Sequence, residues 1–150
     1  MELEVLGTEE CLRLLGTAQL GRIAYTDQAL PAVVPVNFVL HDGSVVFRTG
    51  HGGKLAAAVR NAVVAFEVDD VDATLRTGWS VTAVGYARVV REPAERDALL
   101  ALGLRAWAPG EHPVFFVIVP GILHGRRIPG TTTTVSRAPN GQGSGAGPGA

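Results

Sequence analysis

The strongest candidates for chemistry lie in one stretch, Val45-Val46-Phe47-Arg48-Thr49-Gly50-His51-Gly52-Gly53-Lys54-Leu55, where two cations bracket a glycine-rich bend. Glycine lets the backbone take positive φ and approach a ligand closely, and a guanidinium and an ammonium beside such a bend suit an anion. Lys54 is the only lysine in a chain that otherwise uses arginine, which hints at a placed charge. The plainer reading is a strand-to-helix connection, with Gly53 near the helix start and Lys54 in water. Both readings stay open on these residues alone. The stretch is not a Walker A loop, which needs glycine where Arg48 stands and Ser or Thr where Leu55 stands.

Other reactive side chains offer less. Cys11 is the single cysteine, so no internal disulfide or zinc cluster is expected, and its spacing suits a small core residue better than a nucleophile. His41, His112 and His124 lie far apart without ligand spacing, and no metal site is expected. His51 beside the bend is either a donor to an anion or a solvated turn residue. No side chain is singled out as catalytic.

Elements of a single domain must position these groups. The 150 residues are 47% hydrophobic and 18% charged, enough for one core, while residues 129–150 are rich in Pro, Gly, Thr and Ser and read as a disordered tail after a domain of residues 1–128. A net charge of −1 argues against nucleic-acid binding. The apolar runs are strand-sized and Met1-Glu2-Leu3-Glu4 lacks a signal-peptide pattern, so no membrane association and a cytoplasmic location are expected.

Thr8 through Gly16 reads as a short helix capped by Thr8, with Cys11, Leu14 and Leu15 on one face. Strands are expected at residues 21–25, 32–40 and 44–48, separated by Asp27-Gln28 and by His41-Asp42-Gly43, a strong hairpin signal. A second helix at residues 54–61 turns Leu55, Ala58 and Val59 inward. A strand at residues 62–68, an acidic loop at 69–77 and a long strand at 78–90 follow. The small residues Ala83, Gly85 and Ala87 on one side of that strand imply a close neighbour. Residues 93–102 form a third helix with proline in its first turn. Residues 114–119 form an apolar strand buried on both faces, and 123–128 the last strand. The sum is mainly β: an antiparallel barrel of six or seven strands with three short peripheral helices.

These motifs, in their order and spacing, resemble the FMN-binding split β-barrel proteins related to pyridoxamine 5′-phosphate oxidase, in particular the short bacterial members. The resemblance covers residues 5–128. It rests on Leu20-Gly21-Arg22-Ile23-Ala24, Pro35-Val36-Asn37-Phe38, Phe47-Arg48-Thr49 followed by Gly53-Lys54, Gly78-Trp79-Ser80-Val81 and Gly125-Arg126-Arg127.

The resemblance implies a homodimer with two flavin sites at the subunit interface and a small-molecule substrate. Arg48, Thr49 and Lys54 would hold the FMN phosphate, in agreement with the anion reading of the same stretch. Pro35, Val36, Asn37 and Phe38 would run beside the isoalloxazine, and Trp79 and Ser80 would reach across from the second subunit. Trp79 also suits plain packing, and Asn37 could satisfy a neighbouring strand or a bulge. Arg126 and Arg127 would line the mouth or be solvated or ion-paired. Related proteins take a deazaflavin or haem-derived ligands on the same barrel. The true oxidases are longer and carry a C-terminal substrate-phosphate motif that His124-Gly125-Arg126-Arg127-Ile128-Pro129 echoes only loosely. The functions implied are a flavin-dependent oxidoreductase or a non-catalytic flavin-binding protein.

Overall fold

The structure is a computed structural model and describes residues 2–50, 53–104 and 113–130. The chain runs β1 (Glu4–Leu6), α1 (Thr8–Leu15), β2 (Leu20–Asp27), β3 (Leu30–His41), β4 (Ser44–Gly50), α2 (Lys54–Val59), β5 (Val63–Asp72), β6 (Thr77–Val89), α3 (Pro93–Leu100), β7 (Pro113–Ile118) and β8 (Ile122–Ile128). Every strand pairing is antiparallel, in the order β1-β8-β6-β5-β2-β3-β4-β7, and a β6–β7 pairing closes the ring. Two long strands change partner along their length. β3 pairs with β2 as far as Asn37 and with β4 from Phe38, while β6 pairs with β8 through Val84 and with β7 from Ala87. Those two corners are where the barrel splits.

The expected mainly β barrel with three short helices is present, with eight strands among the described residues rather than six or seven. The added strand, β1, spans three residues, too few for alternation to be legible. The acidic loop expected at residues 69–77 is mostly strand. β5 continues to Asp72 and β6 begins at Thr77, because this end of the hairpin projects into water and polar residues suffice there. Asp72 closes the short turn by accepting the Thr74 and Leu75 backbone N–H groups at 3.0 and 2.9 Å. Gly7 rather than Thr8 occupies the N-cap of α1. The residues assigned to the tail beyond Gly130 lie outside the described residues.

Alternation along the strands fills the barrel. Ile23, Val36, Phe38, Phe47, Val64, Phe66, Val81 and Phe116 form the main core, where Phe47 stacks on Phe116 at 5.3 Å and Phe38 meets Phe66 edge-on at 4.7 Å. α1 adds Cys11, Leu14 and Leu15 and α2 adds Ala56 and Val59. On the other side of β7, Phe115 and Val117 join Val46, Leu99 and Leu104 in a second cluster beneath α3, so β7 is buried on both faces as its composition suggests. The small face of β6 has its reason at Gly85, where a Cβ would come within 2.4 Å of the Val119 carbonyl oxygen.

The opposite, outward face of β8, β6, β5, β2 and β3 carries no described helix. Strand register sets Val33, Ala24, Ala65, Val84 and Ile122 in one row and Pro35, Arg22, Glu67, Thr82 and His124 in the next. Val33, Val63, Tyr86 and Ile122 are more than half exposed on it.

Candidate cofactor-binding site

β4 delivers the expected anion ligands to the end of the barrel. Val45 and Phe47 point into the main core, so Arg48 falls on the opposite side, over the second cluster, with its Cζ 5.9 Å from the Phe115 ring centre. Arg48 Nη1 donates to the Leu104 carbonyl at 2.8 Å, while Nε is buried without a hydrogen-bond partner among the described residues. A buried guanidinium N–H without an acceptor is costly, and an anion oxygen is a natural partner for it. Thr49 is buried and its hydroxyl donates to the Gly50 carbonyl at 3.2 Å. Lys54, the first residue of α2, is exposed at the far side of the bend.

The glycines do not act as expected: neither Gly50 nor Gly53 takes a positive φ, and Gly53 sits at −72°. The backbone at Gly50 borders open space. A Cβ on Gly50 would meet nothing within 4 Å. His51 and Gly52 lie outside the described residues. Open space at Gly50, one cation with an N–H unsatisfied among the described residues and a second, exposed cation fit a phosphate group.

The corner in β3 places Asn37 and Phe38 beside this region. With Gln19, Val39, Leu102, Gly103 and Leu104 they line a cleft of about 350 Å³, and Leu104 is the residue whose carbonyl Arg48 holds. Val36 and Phe38 turn their side chains into the core, so only their backbone faces a ligand. Pro35 is exposed and Asn37 half-buried on the outward face.

Trp79 and Ser80 are not brought to Arg48 within one chain. They lie near the start of β6, opposite Asp70 and Asp69 of β5 and Arg127 and Arg126 of β8. Trp79 is half-buried against the main core and lines a separate cleft of about 630 Å³ with Asp70, Asp72 and Arg127. Arg127 is ion-paired there, with Nη2 2.6 Å from Glu10, whereas Arg126 is exposed. Hydrogen bonds from Arg13 and then Arg127 hold the Glu10 carboxyl down at about 2.

Two features escaped the sequence. Gln19 and the 102–104 segment enter the 350 Å³ cleft through tertiary packing alone. On the outward face, Arg22 Nη1 lies 3.4 Å from both Glu67 and Asp69, a triad joined by the β2–β5 register. Burial, and then the hydrogen bond and charge of Asp69, push the Glu67 carboxyl up to about 7. Only the pairing order, absent from any local signal, brings these residues together. Cys11 is buried, as its spacing suggests, and burial raises its thiol. His41 meets Asp42 at 3.4 Å, His124 is exposed, and His112 lies outside the described residues. Among the described residues no three His, Cys, Asp or Glu side chains gather as a metal site, and no helix is long and apolar enough to cross a membrane.

Known proteins resemble this chain in sequence, and some in solved structure. An uncharacterised protein of Mycobacterium tuberculosis is 39% identical over 132 residues, covering 85% of this chain and 86% of its own length. The solved structure of an FAD-binding protein from Mycobacterium smegmatis is 36% identical, with a TM-score of 0.75 over 83% of this chain and 98% of that one. An FAD-binding protein from Mesorhizobium loti, 26% identical, has a TM-score of 0.72 over 86% of this chain and all of its own, 100%. The sequence model of pyridoxamine 5′-phosphate oxidase matches residues 7–119, the span from the entry to α1 to the end of β7, and the chain belongs to that family.

Proposed function

We propose that the chain is a cytoplasmic, homodimeric flavin-dependent oxidoreductase that acts on a small organic molecule. The observation that carries the reading is the buried Nε of Arg48, without a hydrogen-bond partner among the described residues, close in the chain to Gly50, which borders open space, and to the exposed Lys54. Arg48 supplies a planar fork and Lys54 a point charge to a flavin phosphate, and Thr49 and the β3 backbone at residues 35–38 flank the same end of the barrel. The bound ring would supply hydride or electron transfer. The chain itself binds, orients and shields.

The sequence resemblance implies FMN, with a deazaflavin as the alternative. The Mycobacterium smegmatis relative, FAD-binding and 36% identical, favours the dinucleotide as a second reading. Mass spectrometry of the flavin released on denaturation separates the three.

Pairing of two chains is supported by the separation of the expected flavin contacts. Trp79 and Ser80 sit apart from Arg48 in one chain, and a second copy can supply them. The outward sheet face, with Val33, Val63, Tyr86 and Ile122 exposed, offers the surface.

A non-catalytic flavin carrier is the competing reading, favoured by one observation: none of the described residues lining the 350 Å³ cleft has a titratable side chain. Yellow purified protein that oxidises a reduced nicotinamide in the presence of quinone or nitroaromatic acceptors supports the oxidoreductase. Tight flavin binding without turnover supports the carrier, and colourless protein that takes up no flavin or deazaflavin in excess overturns both.

A further inference from the structure

The outward sheet face holds a group of charges that phosphate binding does not use. Glu67 stands in its middle, on β5, with Arg22 opposite on β2 and Thr82 opposite on β6. Asp69, two residues on, shares the same guanidinium nitrogen, each carboxylate lying 3.4 Å from Arg22 Nη1. One cation therefore serves two carboxylates, and the triad carries one net negative charge.

The remaining groups around it do not correct this imbalance. On β2, Leu20 and Ala24 flank Arg22; on β6, Thr82 and Ser80 face Glu67 and Asp69; on β3, Pro35 and Asn37 follow beyond Arg22. All are uncharged. Among the described residues the next titratable or cationic groups, His124 and Arg126, stand on β8, two strand spacings or about 9.6 Å from β5 and exposed to screening water.

Resting on the reading that two chains pair through this face, we propose that pairing is proton-linked: each Glu67 takes up a proton as a second copy covers it. The assembly then tightens below neutrality and loosens above it. β5 and β6 are central in the sheet, on a face that carries no described helix, so a second copy seated there removes water from Glu67. Its arrival also brings a second triad of the same net charge. Both effects disfavour the ionised carboxylate, and protonation leaves one carboxylate per guanidinium. Partial burial and Asp69 already prepare Glu67 for this near neutral pH.

Sedimentation velocity over a dilution series of the full chain, at pH 6 and pH 8.5 and constant ionic strength, with and without excess FMN, tests the proposal. The dimer dissociation constant is expected to rise about tenfold or more between the two pH values. Glu67→Gln should hold the low value at both. Asp69→Asn, which leaves Arg22 to neutralise Glu67 alone, should shrink the difference, and His124→Gln should retain it. A dimer with the same dissociation constant at both pH values overturns the proton link and leaves pairing standing, as does a slope that survives Glu67→Gln or vanishes in His124→Gln. A single chain at every concentration and pH overturns the pairing reading and the proton link with it.

Discussion

Arg48→Ala separates an anchor from a structural strut. Among the described residues its guanidinium makes one hydrogen bond, 2.8 Å to the Leu104 carbonyl, and lies 5.9 Å from the Phe115 ring. Losing a half-buried, charge-assisted bond and a weak ring contact costs about 1–2 kcal/mol of stability, read by urea unfolding of the flavin-free protein. If the unpartnered Nε also meets a phosphate oxygen, flavin binding loses a further charge-assisted contact worth about 2–3 kcal/mol, or about 30- to 150-fold in Kd. Titration of apoprotein with FMN and with riboflavin, followed by flavin fluorescence, isolates that part because riboflavin has no phosphate. FMN affinity should fall by that factor while riboflavin affinity stays within about twofold of wild type. Equal losses for both ligands, or none for FMN, would refute phosphate recognition by Arg48.

Two stability predictions concern the frame around the site. Phe66 is fully buried, packs edge-on to Phe38 and lies over Gly21, where a Cβ would come within 2.2 Å of its ring; Phe66→Ala should therefore cost about 3–5 kcal/mol in denaturant unfolding. Glu10 has its carboxyl held at about 2 by Arg13 and Arg127, so the folded chain favours the ionised form. The stability this gives is complete above the ordinary value of 4.5 and is lost as pH falls towards 2. Glu10→Gln should thus lower the thermal midpoint at pH 6 and lose that deficit at pH 2; an equal deficit at both would show that the ion pairs with Arg13 and Arg127 do not matter.

Local chemistry made much of the scaffold legible. Asp42-Gly43 marks the β3–β4 hairpin, the all-apolar run at 114–119 forecasts a strand buried on both sides, and Cys11, Leu14 and Leu15 reach the core at their helical spacing. The cations of the bend were equally visible, since Arg48 and Lys54 need only their types and their glycines to suggest an anion. Gly50 and Gly53 depart from the reading in one respect: neither takes the positive φ that glycine permits.

The sequence by itself determined a β barrel with a glycine-rich bend between two cations ahead of α2, because alternation, turn residues and charge type act over a few residues. Only the tertiary structure decided that Arg48 leans on Leu104, that Trp79 lines a different cleft, and that Arg22 stands between Glu67 and Asp69. Those meetings join residues 45 to 56 positions apart in the first and last cases. They depend on which strands pair and where β3 and β6 change partner, and no short-range preference encodes that choice.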